Sequence, residues 1–281
     1  MLSSIRKRAD VFFRSVKTRD DVKPYRSGLH ALYRKELADH LRSRRFLIIL
    51  ALILLTSCAS IYGALSGLSE AVESDPNNIF LKLFTLSGES IPSFLSFIAL
   101  LGPFVGLTLG FDAINSERSE GTLNRLVSQP IYRDAVINGK FLAGATIIFI
   151  MVFGMGLIIS AIGLITVGIP PTADEAGRIF AMLFFTSVYI CFWLALSIFF
   201  SVVCRHAATS AMIVIALWSF FALFMSLVVN MLMGVLYPTE NVTTWGQVID
   251  YYDLQYGLNR LSPYYLYSEA ISTIMDPTVR T

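Results

Sequence analysis

The chain has 281 residues, of which 55% are hydrophobic and only 15% charged, and its mean hydropathy is +0.64. A soluble protein carries about 25% charged residues, so a water-soluble globular domain is excluded and an integral membrane protein is expected. The formal net charge of +2 says little, but the way the charges are bunched says much.

Residues 1–26 are polar and basic, which predicts a cytosolic tail against an anionic membrane face. Over residues 27–45, Leu29, Leu32, Tyr33, Leu37 and Leu41 recur at three- and four-residue spacings, with arginines and lysines between them. That pattern predicts an amphipathic helix lying in the inner interface. A first charge-free run follows at about 46–68. The next link, with Glu70, Glu73, Asp75 and Glu89, is acidic. A second run covers about 91–111. It carries Gly102, Gly106 and Gly110 at four-residue spacing beside Pro103, and Gly63 and Gly67 repeat the spacing in the first run. Glycines on one helix face admit a close backbone neighbour. Packing within one subunit is the plainer reading and a subunit interface the sharper one.

Residues 112–140 then break the apolar pattern with a mixed-charge loop. Three further charge-free runs follow at about 141–167, 179–203 and 207–236, linked by Asp174 and Glu175 on one side and Arg205 on the other. Each central charge in a lipid-spanning helix costs about 2.5–3.5 kcal/mol, so these five runs are transmembrane helix candidates. Residues 1–45 hold 13 Lys+Arg against 5 Asp+Glu. With Arg118, Arg125, Arg133, Lys140 and Arg205, they place the N-terminus and the 112–140 loop in the cytosol. Residues 237–281 are rich in tyrosine, a residue of membrane–water boundaries. One or two short helices along the outer surface are expected there, broken near Ser262-Pro263. Asn241-Val242-Thr243 is a weak glycosylation sequon.

Several chemistries are absent. Gly139-Lys140 is followed by Phe141 and lacks the upstream glycine of a P-loop, so the chain cannot cradle ATP. No cysteine pair or His-Glu-x-x-His offers a metal site, and no cofactor or nucleic-acid partner is expected. No Asp, Glu, Lys or Arg lies mid-span, which argues against an ion-coupled transporter. Asn230, inside the fifth run, suits an interhelical hydrogen bond. An intramembrane enzyme is poorly supported, because no catalytic pair faces another within the spans.

The 112–140 loop reads as a short helix, a break and a second amphipathic start. Ile114, Leu123, Leu126 and Val127 can form an apolar face, Glu117 and Glu120 share a surface, and Pro130 ends the first helix. Such an element could seat on a soluble partner through its glutamates, or could be a solvated link. The residues alone leave both open.

The runs Glu117-Arg118-Ser119-Glu120-Gly121-Thr122-Leu123, Gln129-Pro130-Ile131-Tyr132-Arg133 and Gly139-Lys140-Phe141-Leu142 resemble the cytosolic loop of ABC-2 type transporter permeases. That family includes nitrous-oxide-reductase maturation, sodium-efflux and drug-efflux permeases. Tyr33-Arg34-Lys35-Glu36-Leu37 is similar to the family's leading helix, and Leu261-Ser262-Pro263-Tyr264 to the segment before its last span. The resemblance implies an all-α permease of six spans that works as a homodimer or related heterodimer in the cell membrane. It also implies docking on a separate ABC ATP-binding subunit that holds ATP and Mg, and it favours export. Glu117, Arg118, Glu120, Gly121, Thr122, Leu123, Pro130, Arg133, Gly139 and Lys140 would form the partner-coupling segment. Five of the six spans are found in the sequence, so a chain cut short before the sixth is expected. The alternative function is a non-transporting scaffold that recruits another soluble partner through the same loop.

Overall fold

The computed structural model describes residues 25–74, 78–87, 91–122, 133–168, 170–237 and 245–276. Every described element is helical. In chain order these are α1 (Tyr25–Arg42), α2 (Arg44–Ser74), α3 (Ile79–Thr85), α4 (Phe94–Gly110), α5 (Asn115–Ser119), α6 (Arg133–Val167) and α7 (Ala173–Val203). The fifth long apolar segment is α8 (Ala207–Ser219), joined by a π-helical turn at Phe220–Phe224 to α9 (Met225–Leu236); α10 (Trp245–Asn259) and α11 (Pro263–Met275) follow. Among the described residues, five helical segments are long and apolar enough to cross a membrane. The end of the bundle that carries Arg45, Lys140 and Arg205 is called the basic end below.

The core forms around α7, which packs against α4, α6, α8 and α11. Trp193, Ile190, Leu194 and Met182 of α7 are fully buried, with Phe84, Phe94 and Ile148 from the neighbouring helices. The glycines of α4 decide the tightest seam. A Cβ at Gly106 would lie 2.6 Å from the Ile190 carbonyl oxygen and 2.7 Å from the Leu194 nitrogen, and one at Gly110 would lie 2.9 Å from Ser197 Cβ. At Gly102 the nearest atom would be Ile190 Cγ1 at 3.0 Å. The glycine stripe is therefore an intrachain seam for α7. Two hydrogen bonds stitch it, from Ser197 Oγ to the Leu107 carbonyl (3.0 Å) and from Tyr189 OH to the Ala99 carbonyl (3.1 Å). Each satisfies a hydroxyl where no water reaches.

Three features differ from the expectation drawn from hydropathy. First, α1 does more than lie on an interface, because it packs along the start of α6. A Cβ at Gly139 would meet Leu32 at 3.0 Å, and Tyr33 OH donates to Thr146 Oγ1 at 3.1 Å. Second, the acidic link after α2 contains α3, whose Phe80, Leu81, Leu83 and Phe84 are buried against the bundle. Seven residues are too few to cross a bilayer, but they suffice to plug a gap beside Gly163, where a Cβ would lie within van der Waals overlap of Leu83. Glu175 holds α3 in place. It completes a capping box with Thr172 at the start of α7 and accepts the Phe80 N–H at 3.1 Å. Third, α10 and α11 do not lie across the end of the bundle. They meet at Ser262-Pro263, where the Ser262 hydroxyl donates to the Phe221 carbonyl at 2.8 Å, midway along the fifth apolar segment.

Candidate functional site

The link after α4 is short and tightly bonded. Ser116 caps back onto the Asp112 carbonyl through both its N–H (2.9 Å) and its hydroxyl (2.8 Å). The hydroxyl of Ser201, near the end of α7, accepts the Ile114 N–H (3.0 Å) and the Asn115 N–H (3.3 Å). These bonds satisfy donors that a helix start leaves orphaned. The helix then stops at Gly121, whose φ of +71° is the left-handed geometry that glycine adopts without strain. The stop comes well before Pro130, the residue expected to end this helix.

At the centre of this junction is a buried ion cluster. Lys140 Nζ lies 2.9 Å from Glu36 Oε1 and 2.9 Å from Glu117 Oε1. The three residues are 4%, 6% and 9% exposed. Lys35 closes the cluster from its rim, 3.1 Å from Glu36 and 3.8 Å from Glu117. Within it two carboxylates face two ammoniums, which is what allows burial; Lys35 also reaches the exposed Asp39 at 3.6 Å. The cluster ties three elements together: α1 by Glu36, α5 by Glu117 and α6 by Lys140. Leu32, Ile114 and Val136 pack beside it as a small apolar group. Burial pushes the Glu36 carboxyl upward, but Lys140 and Lys35 outweigh it and hold the group below the ordinary carboxylate range. Burial likewise opposes the charge on Lys35, and Glu36 overcomes it, so the ammonium titrates above its usual value. His40 is held below the ordinary imidazole value, mainly by burial.

Two further contacts bind the rim. Arg45 pairs with Asp112 and lies over the Phe111 ring at 5.5 Å. Arg118 donates to the carbonyls of Cys204 (3.0 Å) and Val202 (3.3 Å). A guanidinium there satisfies the free carbonyls at the end of α7 and complements its dipole. Thus α5 is keyed to α1, α6 and α7 at once, and the link before it is tied to α2.

The residues singled out from the sequence separate into two groups. Glu117, Arg118, Gly139 and Lys140 face inward or cap a neighbouring helix, while Glu120, Gly121 and Thr122 are exposed. Glu117 therefore does not share an outer surface with Glu120. Leu123 and Pro130 lie outside the described residues; Arg133 opens α6, and its side chain lies outside them too. Sequence reasoning missed Glu36, Lys35, Asp112 and Ser201. Glu36 had a signal: it sits one turn after Leu32 on the apolar stripe of α1, where a lone carboxylate needs a buried partner.

The exposed Glu120–Thr122 edge is thus tied through Glu117, Ser201 and Arg118 to three other helices, α1, α6 and α7. Comparison with known proteins gives the family. Residues 30–276 match the family model described as ABC-2 family transporter protein. The chain belongs to the ABC-2 transporter family. It is 30% identical over 198 residues to the probable ABC transporter permease protein NosY of Pseudomonas aeruginosa, a match covering 69% of this chain and 66% of that one. It is 33% identical over 150 residues to the protein of the same name in Stutzerimonas stutzeri, covering 52% of this chain and 48% of that one. The matched part thus spans between about half and two thirds of these curated relatives. This ABC-2 chain is a multi-pass helical membrane protein, and its family match takes in the leading helix, the junction and all five apolar segments.

Proposed function

We propose that this chain is the permease subunit of an ABC transporter, driven by ATP that a separate ATP-binding subunit hydrolyses. The junction between α4 and α6 is its docking and coupling site. The observation that carries the reading is the keyed position of α5, which exposes Glu120, Gly121 and Thr122 outward while Glu117 is locked to Lys140 inward. The outer edge is free to meet a soluble partner, and the inner edge has a rigid path into the bundle. In this reading the basic end and the N-terminus are cytosolic in the cell membrane, in line with the excess of Lys and Arg there. Two permease copies act together, and the direction is export. The names of the NosY relatives support the transporter assignment and say nothing of this chain's cargo.

The test is affinity purification from membranes of tagged wild type and of a Glu120→Lys, Thr122→Lys variant. Both substitutions lie on the exposed edge and leave the Glu117–Lys140 ion pair in place; Thr122→Lys gives up only the hydroxyl's bond to the Glu117 carbonyl (3.2 Å). Wild type is expected to recover a Walker-motif ATPase, and the variant to lose it while keeping its elution profile. Equal recovery by both forms contradicts docking at this edge. Recovery of a soluble partner without ATP-binding motifs contradicts the transporter reading itself.

A further inference from the structure

The cations at the basic end divide into those that the fold engages and those that it leaves out. Lys35 and Lys140 sit in the ion cluster, Arg45 pairs with Asp112, and Arg118 caps α7. Arg34, Arg42 and Arg44 are exposed and pair with no acid among the described residues. Arg42 ends α1 and Arg44 opens α2, with Ser43 between them. Ser43 donates its N–H to the His40 carbonyl (3.0 Å), and its own carbonyl accepts the Leu47 N–H (3.3 Å). These bonds fix the corner from both sides. The two arginines that flank it are two residues apart, so their Cα atoms lie within about 7 Å of each other.

An exposed track runs through this corner. Arg34 and Leu41 of α1 and Arg44, Ile48, Ala51 and Leu55 of α2 recur at helical spacings, and all six are exposed. Ile48 and Leu55 are each 68% exposed. Beyond Arg44 the track is wholly apolar. From Arg44 to Leu55 it rises about 16 Å at about 1.5 Å per residue. That is close to half of a hydrocarbon core of about 30 Å, the depth of one leaflet. Side chains on a helix lean toward its N-terminus, so Arg44 leaves the head of the track toward the basic end. Its guanidinium thus reaches the headgroup layer while its stem stays against apolar surface.

We propose that the α1–α2 corner binds one anionic phospholipid of the leaflet at the basic end. Arg42 and Arg44 hold its phosphate, Arg34 extends the positive field along α1, and an acyl chain lies along Ile48, Ala51 and Leu55. A guanidinium offers a planar fork to two phosphate oxygens, which an ammonium does not. The apolar track that starts at the same arginines selects a lipid over free phosphate. A zwitterionic headgroup brings its own cation and gains less from three arginines. The inference rests on the membrane-spanning architecture and not on ATPase docking, so the two stand or fall separately.

The experiment is native mass spectrometry of the detergent-purified chain, titrated with phosphatidylglycerol and with phosphatidylcholine of the same acyl chains. Wild type is expected to bind its first phosphatidylglycerol more tightly than phosphatidylcholine by a factor of about ten or more. The triple variant Arg34→Gln, Arg42→Gln, Arg44→Gln should lose that preference. Arg44→Gln alone should lower it about fivefold, which keeps the test valid if the triple variant misfolds. Arg205→Gln, at the exposed corner between α7 and α8, should keep the preference, and excess inorganic phosphate should not displace the lipid. Equal binding of the two lipids by wild type, or an unchanged preference in Arg44→Gln, overturns the proposal. An equal loss in Arg205→Gln would mean diffuse attraction to charge, and displacement by phosphate would mean an oxyanion site without lipid; either result also overturns it.

Discussion

Lys140→Met tests the buried cluster. Lys140 sits 2.9 Å from each of two buried carboxylates. At an effective dielectric of about 20, each contact has a gross attraction of about 332/(20 × 2.9), or about 6 kcal/mol. Desolvating the ions costs several kcal/mol apiece, so the intact cluster contributes little net stability. Removing Lys140 leaves two buried carboxylates sharing only the half-exposed Lys35, and breaking a buried pair in this way costs about 3–5 kcal/mol. For a chain of this size, each kcal/mol shifts the melting temperature by about 2–4 °C, so a fall of about 6–20 °C is expected. The assay is the loss of monodisperse protein with temperature in detergent, at fixed heating time because such unfolding is irreversible. The triple variant Glu36→Gln, Glu117→Gln, Lys140→Met removes all three charges and is expected to recover most of the loss. A single variant within about 2 °C of wild type, or a triple variant no better than the single, would refute the reasoning.

Gly106→Ala is expected to cost about 1–3 kcal/mol, because its Cβ would meet the α7 backbone, whereas Gly67→Ala, with nothing within 4 Å, is neutral or slightly stabilising; matching melting temperatures would contradict the seam. Glu175→Gln removes a charge-assisted cap of α7 and weakens the bond to Phe80, so a loss of about 1–2 kcal/mol is expected in the same assay. The share of stability carried by His40, Glu36 and Lys35 should be flat between the ordinary imidazole and ammonium values of 6.5 and 10.5. Below 6.5 it falls, because His40 with its depressed value takes up protons more readily unfolded. Below the carboxylate value of 4.5 it falls again as Glu36 is protonated, and above 10.5 it falls as Lys35 loses its proton. A pH series of melting temperatures checks this, and His40→Gln should remove only the first acid step.

The five spans were legible because a charge-free run long enough for a bilayer has few other uses. The glycine stripe of α4 was legible as a close contact, but its partner was not. Nothing in the order of residues says that Ile190 and Leu194, rather than a second subunit, fill it. Glu117 was legible as part of a coupling segment and misread in its direction. Its inward turn depends on Lys140 and Glu36, which are remote in sequence and meet only when α1 packs on α6. The α10–α11 hairpin was hidden for a different reason. Trp245–Met275 is too polar for a hydropathy window and is split by Pro263, so only its contacts with Phe221 and Thr186 reveal its depth.

Photocrosslinking from position 120 tests the central claim most directly. A photoreactive residue replacing Glu120 should crosslink to an ABC ATP-binding subunit in intact membranes, with a yield that changes when ATP is supplied, while the same residue at exposed Tyr62, far along α2 from the junction, should not. An assembly that purifies with its ATPase yet gives no crosslink from position 120 would contradict the assignment of this edge as the coupling site.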